Sequence, residues 1–209
     1  MLPPTPKSRP AIFLDRDDTI LNTSARTAFT PFQGDLKDPA LVELLPGAAA
    51  ALALLQTTGF GLVVLSNQGA VARGHATLAD VELVNDTMRA QLARTTPPVT
   101  LSGCYFCPYH PAATGNAFGT EHPWRKPAGG MFTIAAAELN YSIASSWAVG
   151  DKVRDLRAAM AAGFRPARCI LLNTSGAHGD APGIPTGIVL AADLTAAAAI
   201  ILGGEQPEH

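Results

Sequence analysis

Short apolar runs that stop at polar residues recur along the chain, and each is typical of a buried strand in a parallel sheet. Such strands read as continuous apolar segments because helices cover both faces of the sheet. The first run, Ala11–Leu14, stops at Asp15, and the second, 61–65, stops at Ser66. We predict strands at Ala11–Leu14, 61–65, 99–106, Trp147–Gly150, Cys169–Leu172 and 188–190.

The segments between these runs carry apolar residues at helical spacing. In 77–94 they recur every three or four residues, and Thr77 and Asp80 stand where a capping box would place them. We predict helices at Ala48–Thr57, 77–94, 130–139, 152–162 and 194–202, with Gly59 as a cap glycine after the first of them. Strands that alternate with helices predict a three-layer α/β domain around a mainly parallel sheet.

Two segments fall outside this pattern. Residues 1–10 contain four prolines and read as a flexible leader, so we predict a single domain over 11–209. Residues 22–39 are polar and rich in turn-forming residues, and loops this long are usually functional or disordered. Because this segment follows the first strand directly, we expect it to overhang the polar end of that strand.

Charge and cysteine content narrow the class of protein. The 15 Lys and Arg residues against 17 Asp and Glu give no basic surplus of the kind that nucleic-acid binding needs. No apolar run approaches the roughly 18 residues of a membrane span, and the N-terminus lacks the apolar core of a secretion signal. Three cysteines do not suggest a disulfide framework. We therefore expect a cytoplasmic protein that binds neither nucleic acid nor membrane. An acidic or small phosphorylated metabolite remains compatible with this charge balance, and we also expect a monomer.

Asp15 and Asp17 follow the first predicted strand, one residue apart. Ligands of open α/β sheets bind outside the carboxyl ends of the strands, where both side chains would lie. Two carboxylates this close repel unless a cation lies between them or one holds a proton. Magnesium prefers such oxygen ligands together with phosphate oxygens, and a free carboxylate can attack phosphorus. The alternative is a strand that ends in a solvated acidic turn.

Other polar groups are predicted at the same edge of the sheet, because parallel strands bring their carboxyl ends together. Carboxylates, a hydroxyl and fixed cations suit a phosphomonoester, whose hydrolysis needs a nucleophile, a proton donor and positive partners. These groups are Ser66 and Asn67 after the second strand, Asp151 and Lys152 after the fourth, and Arg125 and Lys126 before a helix.

These signals stand in the order found in the haloacid dehalogenase superfamily of phosphatases, which the sequence resembles. They are D-x-D-x-T at 15–19, Ser66 after an apolar strand, Lys126, and G-D-x-x-x-D at 150–155. Within the superfamily, the segments FLDRDDTILN, LSNQGAVARG, CPYHP and WRKPAGGMF resemble the group of heptose-bisphosphate and histidinol-phosphate phosphatases. The resemblance covers about 11–165 and implies a Rossmann-like fold with a minimal cap domain or none.

The resemblance also implies a role for each matching residue. Asp15 would attack phosphorus, and Asp17 would carry the proton of the leaving group and then of water. Magnesium would bind Asp15, the main-chain carbonyl of Asp17, and Asp151. Phosphate or substrate would contact Ser66, Asn67, Arg73, Arg125, Lys126 and Lys152, and Asp155 would orient Lys126 or the turn after the fourth strand.

Three of these residues have ordinary structural alternatives. Ser66 is equally suited to cap a turn, and Arg73 to lie solvated on an exposed loop. Asp155 also fits the first turn of a helix, where an acid interacts favourably with the helix dipole.

Asp18 departs from the family's pattern, because the position after Asp17 is usually glycine there. Aspartate tolerates the left-handed backbone better than most residues do, so we expect the turn to survive. A third acid at this point would alter the affinity for magnesium or for an anionic substrate.

A second departure concerns zinc. The heptose phosphatases typically bind structural zinc through C-x-H and then C-x-C, but the matching residues here are Cys107, Tyr109, His122 and Trp124. That four-ligand site cannot form, and we do not expect structural zinc. An alternative set of sulfur and nitrogen ligands is Cys104, Cys107, His110 and His122.

The function implied by the resemblance is that of a magnesium-dependent phosphatase acting on D-glycero-D-manno-heptose 1,7-bisphosphate through an aspartyl phosphate. Histidinol phosphate or another small phosphomonoester is the alternative substrate, because the long segment 22–45 leaves the preference open. A nucleic-acid 3′-phosphatase is a further alternative, against which the lack of a basic surplus counts. The intact Asp15 and Asp17 argue against a non-catalytic phospholigand-binding protein.

Overall fold

The computed structural model describes residues 8–113, 115–172 and 183–204. Six strands form one parallel sheet in the order β3-β2-β1-β4-β5-β6. In register, Leu14 of the first strand pairs with Val64 on one side and Val149 on the other. The strands are β1 Ala11–Leu14, β2 Gly61–Asn67, β3 Gly103–Cys107, β4 Trp147–Gly150, β5 Cys169–Leu172 and β6 Val189–Ala191.

Helices cover both faces of this sheet, which confirms the predicted three-layer α/β fold. Ile12 and Leu14 pack into a core with α2, α3 and α6, whereas Phe13 packs on the other face with α4 and α5. Burial of each side chain of this size contributes about 1.5–3 kcal/mol to the stability of the fold. Packing therefore holds β1 rigidly from both faces of the sheet. The helices are α1 Thr23–Thr27, α2 Ala48–Thr57, α3 Leu78–Ala93, α4 Gly130–Glu138, α5 Val153–Ala161 and α6 Leu194–Gly204.

Both predicted helix caps are confirmed. The Asp80 amide donates to Thr77 Oγ1, and the Thr77 amide donates to the Asp80 carboxylate at 2.8 Å, which completes the capping box before α3. Gly59 follows α2 with a φ of 96°, the left-handed conformation expected of a cap glycine.

The structure corrects two predicted elements. The third strand is Gly103–Cys107 rather than 99–106, because the Val99 amide bonds to the Leu92 carbonyl at the end of α3 before the chain reaches β2. Residues 22–39 are not wholly irregular, since they contain α1 and the start of a 3₁₀ turn, Pro39–Leu41. Between β1 and α2 the chain thus carries these short elements in place of a cap domain.

The predicted leader lies mostly outside the described residues, but Arg9 already forms a bridge with Tyr141. Within the described ranges, no helix is long and apolar enough to cross a lipid bilayer.

Candidate active site

The carboxyl ends of β1 and β4 bring three acidic side chains together. Oxygens of Asp15, Asp151 and Asp155 lie within 4.8 Å of one another, and the three residues are 8%, 2% and 3% exposed. Buried carboxylates this close repel unless positive charge lies among them. Because all the donors are carboxylate oxygens, the cluster fits a hard divalent cation such as Mg²⁺.

Lys126 supplies positive charge to this cluster from the loop before α4. Its Nζ contacts Asp15 Oδ1 at 2.5 Å and Asp155 Oδ1 at 2.8 Å, and it donates to the Leu65 carbonyl at 2.8 Å. The residue is 2% exposed, so little water screens these ion pairs. Burial acts against the charged amine, but the two carboxylates outweigh it and raise the pKa of Lys126.

Asp155 contacts both groups that it was expected to orient. Besides its ion pair with Lys126, its Oδ2 accepts from the Lys152 amide at 3.0 Å at the start of α5. A Cβ at position 150 would lie 2.7 Å from the Cβ of Asp155, which explains the glycine before Asp151. The G-D-x-x-x-D pattern therefore folds as one compact turn.

Asn67 fixes the loop that carries Lys126. Its side chain donates to the Lys126 carbonyl at 2.9 Å and accepts from the Lys126 amide at 3.0 Å. This double hydrogen bond joins the end of β2 to a residue 59 positions further along the chain.

Asp17 lies beside the cluster, and its side chain has a separate set of partners. Thr23 donates to it at 2.6 Å, Gln68 at 2.7 Å and Ser66 at 3.2 Å. Arg16, which is fully buried, donates through both Nε and Nη2. Ser66 thus contacts Asp17, and its hydroxyl also accepts from Gln68 at 2.6 Å.

The environments of Asp15 and Asp17 shift their pKa values in opposite directions. Burial, reinforced by the neighbouring carboxylates and opposed by Lys126, raises the pKa of Asp15 to about 8. Burial also acts to raise the pKa of Asp17, but the charge of Arg16 and the hydrogen bonds from Thr23, Arg16 and Gln68 outweigh it and lower that pKa. The two aspartates are therefore chemically distinct.

Asp18 takes the left-handed conformation that its position demands, with a φ of 57°. Its carboxylate accepts from the Ser24 amide at 2.8 Å and from the Ser24 hydroxyl, at the start of α1. The prediction that aspartate preserves this turn is confirmed.

A polar cavity of about 270 Å³ opens above the acidic cluster. Ser66 and Lys126, at 1% and 2% exposed, are buried and are not among its lining residues. Lys152 pairs with Asp151 at 2.7 Å at the rim. Other site residues predicted from the sequence that line the cavity are Asp15, Asp17, Asn67, Arg73 and Arg125, and Arg154 and His110 join them.

Two guanidinium groups converge at one side of this cavity. A Cβ at position 69 would lie 3.1 Å from Arg73 Nη1 and 3.3 Å from Arg125 Nη1, so Gly69 leaves room for both. Arg125 is held by the Tyr109 carbonyl at 2.8 Å, and Arg73 by Asp35 at 2.6 Å. Burial and the neighbouring arginines lower the pKa of Arg125. Two cations this close favour an anion between them.

The residues considered as zinc ligands lie apart. Cys104 and Cys107 face opposite sides of the sheet, where each packs against a different core. The His122 ring stacks on Tyr109 at 4.1 Å and meets Trp124 edge-on at 5.8 Å. Among the described residues, the acidic cluster is the one group of His, Cys, Asp or Glu side chains close enough to share an ion.

Four side chains that shape the site were not singled out from the sequence. Arg16 and Gln68 are neighbours of motif residues, and their place in a polar stretch directly after an apolar strand could have identified them. Thr23 belongs to the helix that was not predicted. Asp35 gave no signal, because its partners Arg73 and His75 are 38 and 40 residues away.

Comparisons with known proteins agree with this geometry. A family model described as "HAD-hyrolase-like" matches residues 123–197. The chain is 40% identical to the D-glycero-beta-D-manno-heptose-1,7-bisphosphate 7-phosphatase of Escherichia coli O6:H1 over 156 residues, which cover 75% of this chain and 76% of the relative. It is 37% identical to the enzyme of the same name from Yersinia pestis, over 75% of this chain and 77% of the relative.

Solved structures show the same relationship. The crystal structure of D,D-heptose 1,7-bisphosphate phosphatase from B. bronchiseptica, complexed with magnesium and phosphate, superposes with a TM-score of 0.73 at 29% identity, over 94% of this chain and 99% of that chain. A HAD-like phosphatase from Mesorhizobium loti gives 0.76 at 28% identity, over 98% and 91%. The chain therefore belongs to the haloacid dehalogenase-like hydrolases, in the family of the heptose-bisphosphate phosphatases.

Proposed function

We propose that this phosphatase removes the 7-phosphate of D-glycero-D-manno-heptose 1,7-bisphosphate with the help of Mg²⁺, through an aspartyl phosphate on Asp15. The observation that carries the proposal is the acidic cluster with its buried lysine, open to a cavity that two arginines border on one side. The names of the relatives in both organisms support the choice of substrate.

Asp15 is the nucleophile in this proposal. One of its oxygens forms a bond to phosphorus as the bond between phosphorus and the sugar oxygen breaks. Lys126, in contact with Asp15, stabilises the negative charge that spreads over the phosphoryl oxygens. When bound, a divalent cation held by Asp15 and Asp151, with the Asp17 carbonyl as a further ligand, supplies positive charge that favours the ionised nucleophile and offsets the charge of the phosphate.

Asp17 moves the protons. It protonates the departing sugar oxygen in the first step and takes a proton from the attacking water in the second, which releases phosphate and restores Asp15. The lowered pKa of Asp17 means that its carboxylate is ionised at neutral pH, which a proton acceptor requires. A phosphate dianion that enters beside it raises that pKa again, because like charges disfavour ionisation, and this suits the proton-donating step.

The second phosphate of the substrate binds between Arg73 and Arg125. Each guanidinium offers up to five N–H donors in a planar fork, which matches phosphate oxygens. A substrate with one phosphate and a cationic end, such as histidinol phosphate, would leave these two charges without an anion.

The test is phosphate release by the purified full chain, with Mg²⁺ and with EDTA. Substrates are heptose 1,7-bisphosphate, histidinol phosphate and a 3′-phosphorylated oligonucleotide. We expect turnover of the bisphosphate that EDTA abolishes, and a loss of at least about a thousandfold in Asp15→Asn, because no other group replaces the nucleophile. Faster release from either other substrate, or an unchanged rate in Asp15→Asn, contradicts the proposal.

A cytoplasmic location and a monomeric state complete the proposal. Gel filtration with light scattering measures the mass against the 21.7 kDa of one chain, and cell fractionation measures the location.

A further inference from the structure

Asp35 joins the long segment after α1 to the loop after β2. Its Oδ1 accepts from Arg73 Nη2 at 2.6 Å, and its Oδ2 contacts His75 Nδ1 at 2.7 Å. The Asp35 side chain is 13% exposed, so these contacts are partly shielded from water. One carboxylate thus holds two side chains of a loop that borders the cavity.

The segment around Asp35 is itself anchored. Phe32 stacks on the His75 ring with 3.8 Å between centroids and 18° between planes. Gly34 adopts a φ of 84°, and its amide donates to Thr27 Oγ1 at 2.8 Å. The Asp35 amide donates to the Phe32 carbonyl at 3.0 Å. The carboxylate is therefore presented from a fixed turn.

This turn connects the cavity wall to the proton-carrying residue. Thr27 lies at the end of α1, and Thr23, at the start of that helix, donates to Asp17. Gly34 and Asp35 both line the cavity. The segment therefore extends from Asp17 to Arg73 across the mouth of the site.

The position of Arg73 needs a counter-charge. Its guanidinium and that of Arg125 converge over Gly69, where like charges repel. The Arg73 side chain is 36% exposed, so it is free to turn toward solvent unless something holds it. Asp35 binds the Nη2 edge, which leaves Nη1 directed at the space shared with Arg125.

We propose that Asp35 is a positioning residue that holds Arg73 in place for the second anionic group of the substrate. The inference rests on the proposed function, since it concerns how a bisphosphate is distinguished from a monophosphate. Without Asp35, Arg73 turns outward and this distinction is reduced.

The experiment compares heptose 1,7-bisphosphate with heptose 7-phosphate, which carries the same ester but lacks the second anion. Asp35→Asn should lower the ratio of the two kcat/KM values about tenfold, through KM, as expected for one charge-assisted hydrogen bond. The matched control is Asp38→Asn, an acid of the same segment that accepts from the Ala40 amide and should leave the ratio unchanged.

A binding measurement makes the result independent of turnover. In the Asp15→Asn background, calorimetry of both sugars should show the same tenfold loss of preference when Asp35→Asn is added. Arg73→Gln should remove that preference by itself, and Asp35→Asn on top of it should add nothing.

The outcomes separate the two proposals. An unchanged ratio, an equal loss for both sugars, or additive effects of Asp35→Asn and Arg73→Gln overturns the role of Asp35. Should the wild type release no phosphate from either sugar, the proposed function fails, and the calorimetry still decides the role of Asp35. If Asp35→Asn does not fold, Arg73→Gln is tested alone. A variant Arg73→Gln that still prefers the bisphosphate to the monophosphate overturns the role of Asp35.

Discussion

The acidic cluster and the arginine side of the cavity are built in different ways. Asp15, Asp151 and Lys126 are less than a tenth exposed, and they are fixed by strand ends and a double hydrogen bond to the loop. Arg73 and Arg125 come from irregular loops and are held by single contacts to Asp35 and to a carbonyl. The groups proposed for the chemistry are rigid, whereas each group proposed for recognition depends on a single contact.

This difference shows where the fold leaves freedom for change. A nucleophile on a buried strand end keeps its geometry because the whole sheet defines it. A cation on a loop changes partners with one substitution and leaves the core intact. In the proposed function, selectivity among phosphate esters is therefore set by residues other than those that carry out the reaction.

The largest effect is expected from Lys126→Met, which disrupts the acidic cluster, the rigid half of the site. It leaves two buried carboxylates without their shared cation, so the free energy of unfolding should fall by about 3–5 kcal/mol. Phosphate release should fall at least about a hundredfold. Denaturant unfolding in EDTA and a phosphate assay measure the two effects.

Lys152→Met is the matched control for the loss of stability, since its half-exposed pair with Asp151 should contribute about 1 kcal/mol or less to the free energy of unfolding. Equal destabilisation by both variants would contradict the contrast.

A smaller effect is expected from Arg125→Ala on the recognition side. KM for the bisphosphate should rise about tenfold with kcat nearly unchanged, because the guanidinium contributes to binding rather than to bond breaking. Steady-state kinetics give both values. Arg94→Ala, at the exposed end of α3, serves as the control and should alter neither. A fall in kcat at constant KM would place Arg125 in the chemical step instead.

The smallest effect is expected outside the site, from Thr77→Ala. Loss of the N-cap should cost about 1 kcal/mol of unfolding free energy and leave turnover unchanged.

The same cap should make stability depend on pH. Hydrogen bonds from the Thr77 backbone and side chain lower the pKa of Asp80 below its ordinary 3.8. The ionised Asp80 therefore contributes to the free energy of unfolding above pH 3.8. This contribution disappears as the pH falls through the lower pKa that Asp80 has in the folded protein. Denaturation curves at pH 7 and pH 3 should show the difference between wild type and Thr77→Ala shrinking at acid pH. A difference that grows at pH 3 would contradict the capping interpretation.

The rigid half was largely predictable from the sequence. Asp15, Ser66 and Asp151 each follow an apolar run, and parallel pairing brings such strand ends together whatever the loops do. The third strand was placed too early because its apolar residues begin at Val99, while pairing with β2 begins only at Gly103. Periodicity identifies buried residues, and strand pairing decides which of them form a strand.

The recognition half was only partly predictable. Arg73 and Arg125 were candidates, but their approach over Gly69 depends on the tertiary path of two loops. Helix α1 was missed because its apolar content is low and its start is stabilised by Asp18, an interaction across six residues. Partners such as Asp35 and Arg73, 38 residues apart, leave no local pattern.

The turn at Asp18 has a consequence for the entropy of folding. A glycine there would adopt the left-handed conformation without strain, yet it would give the unfolded chain more conformations to lose. Aspartate in this conformation carries a strain of about 1–2 kcal/mol. A less flexible unfolded chain and the hydrogen bonds from Ser24 offset that strain. Because α1 also carries Thr23, which donates to Asp17, the turn at Asp18 restricts the movement of the carboxylate that is proposed to carry the proton.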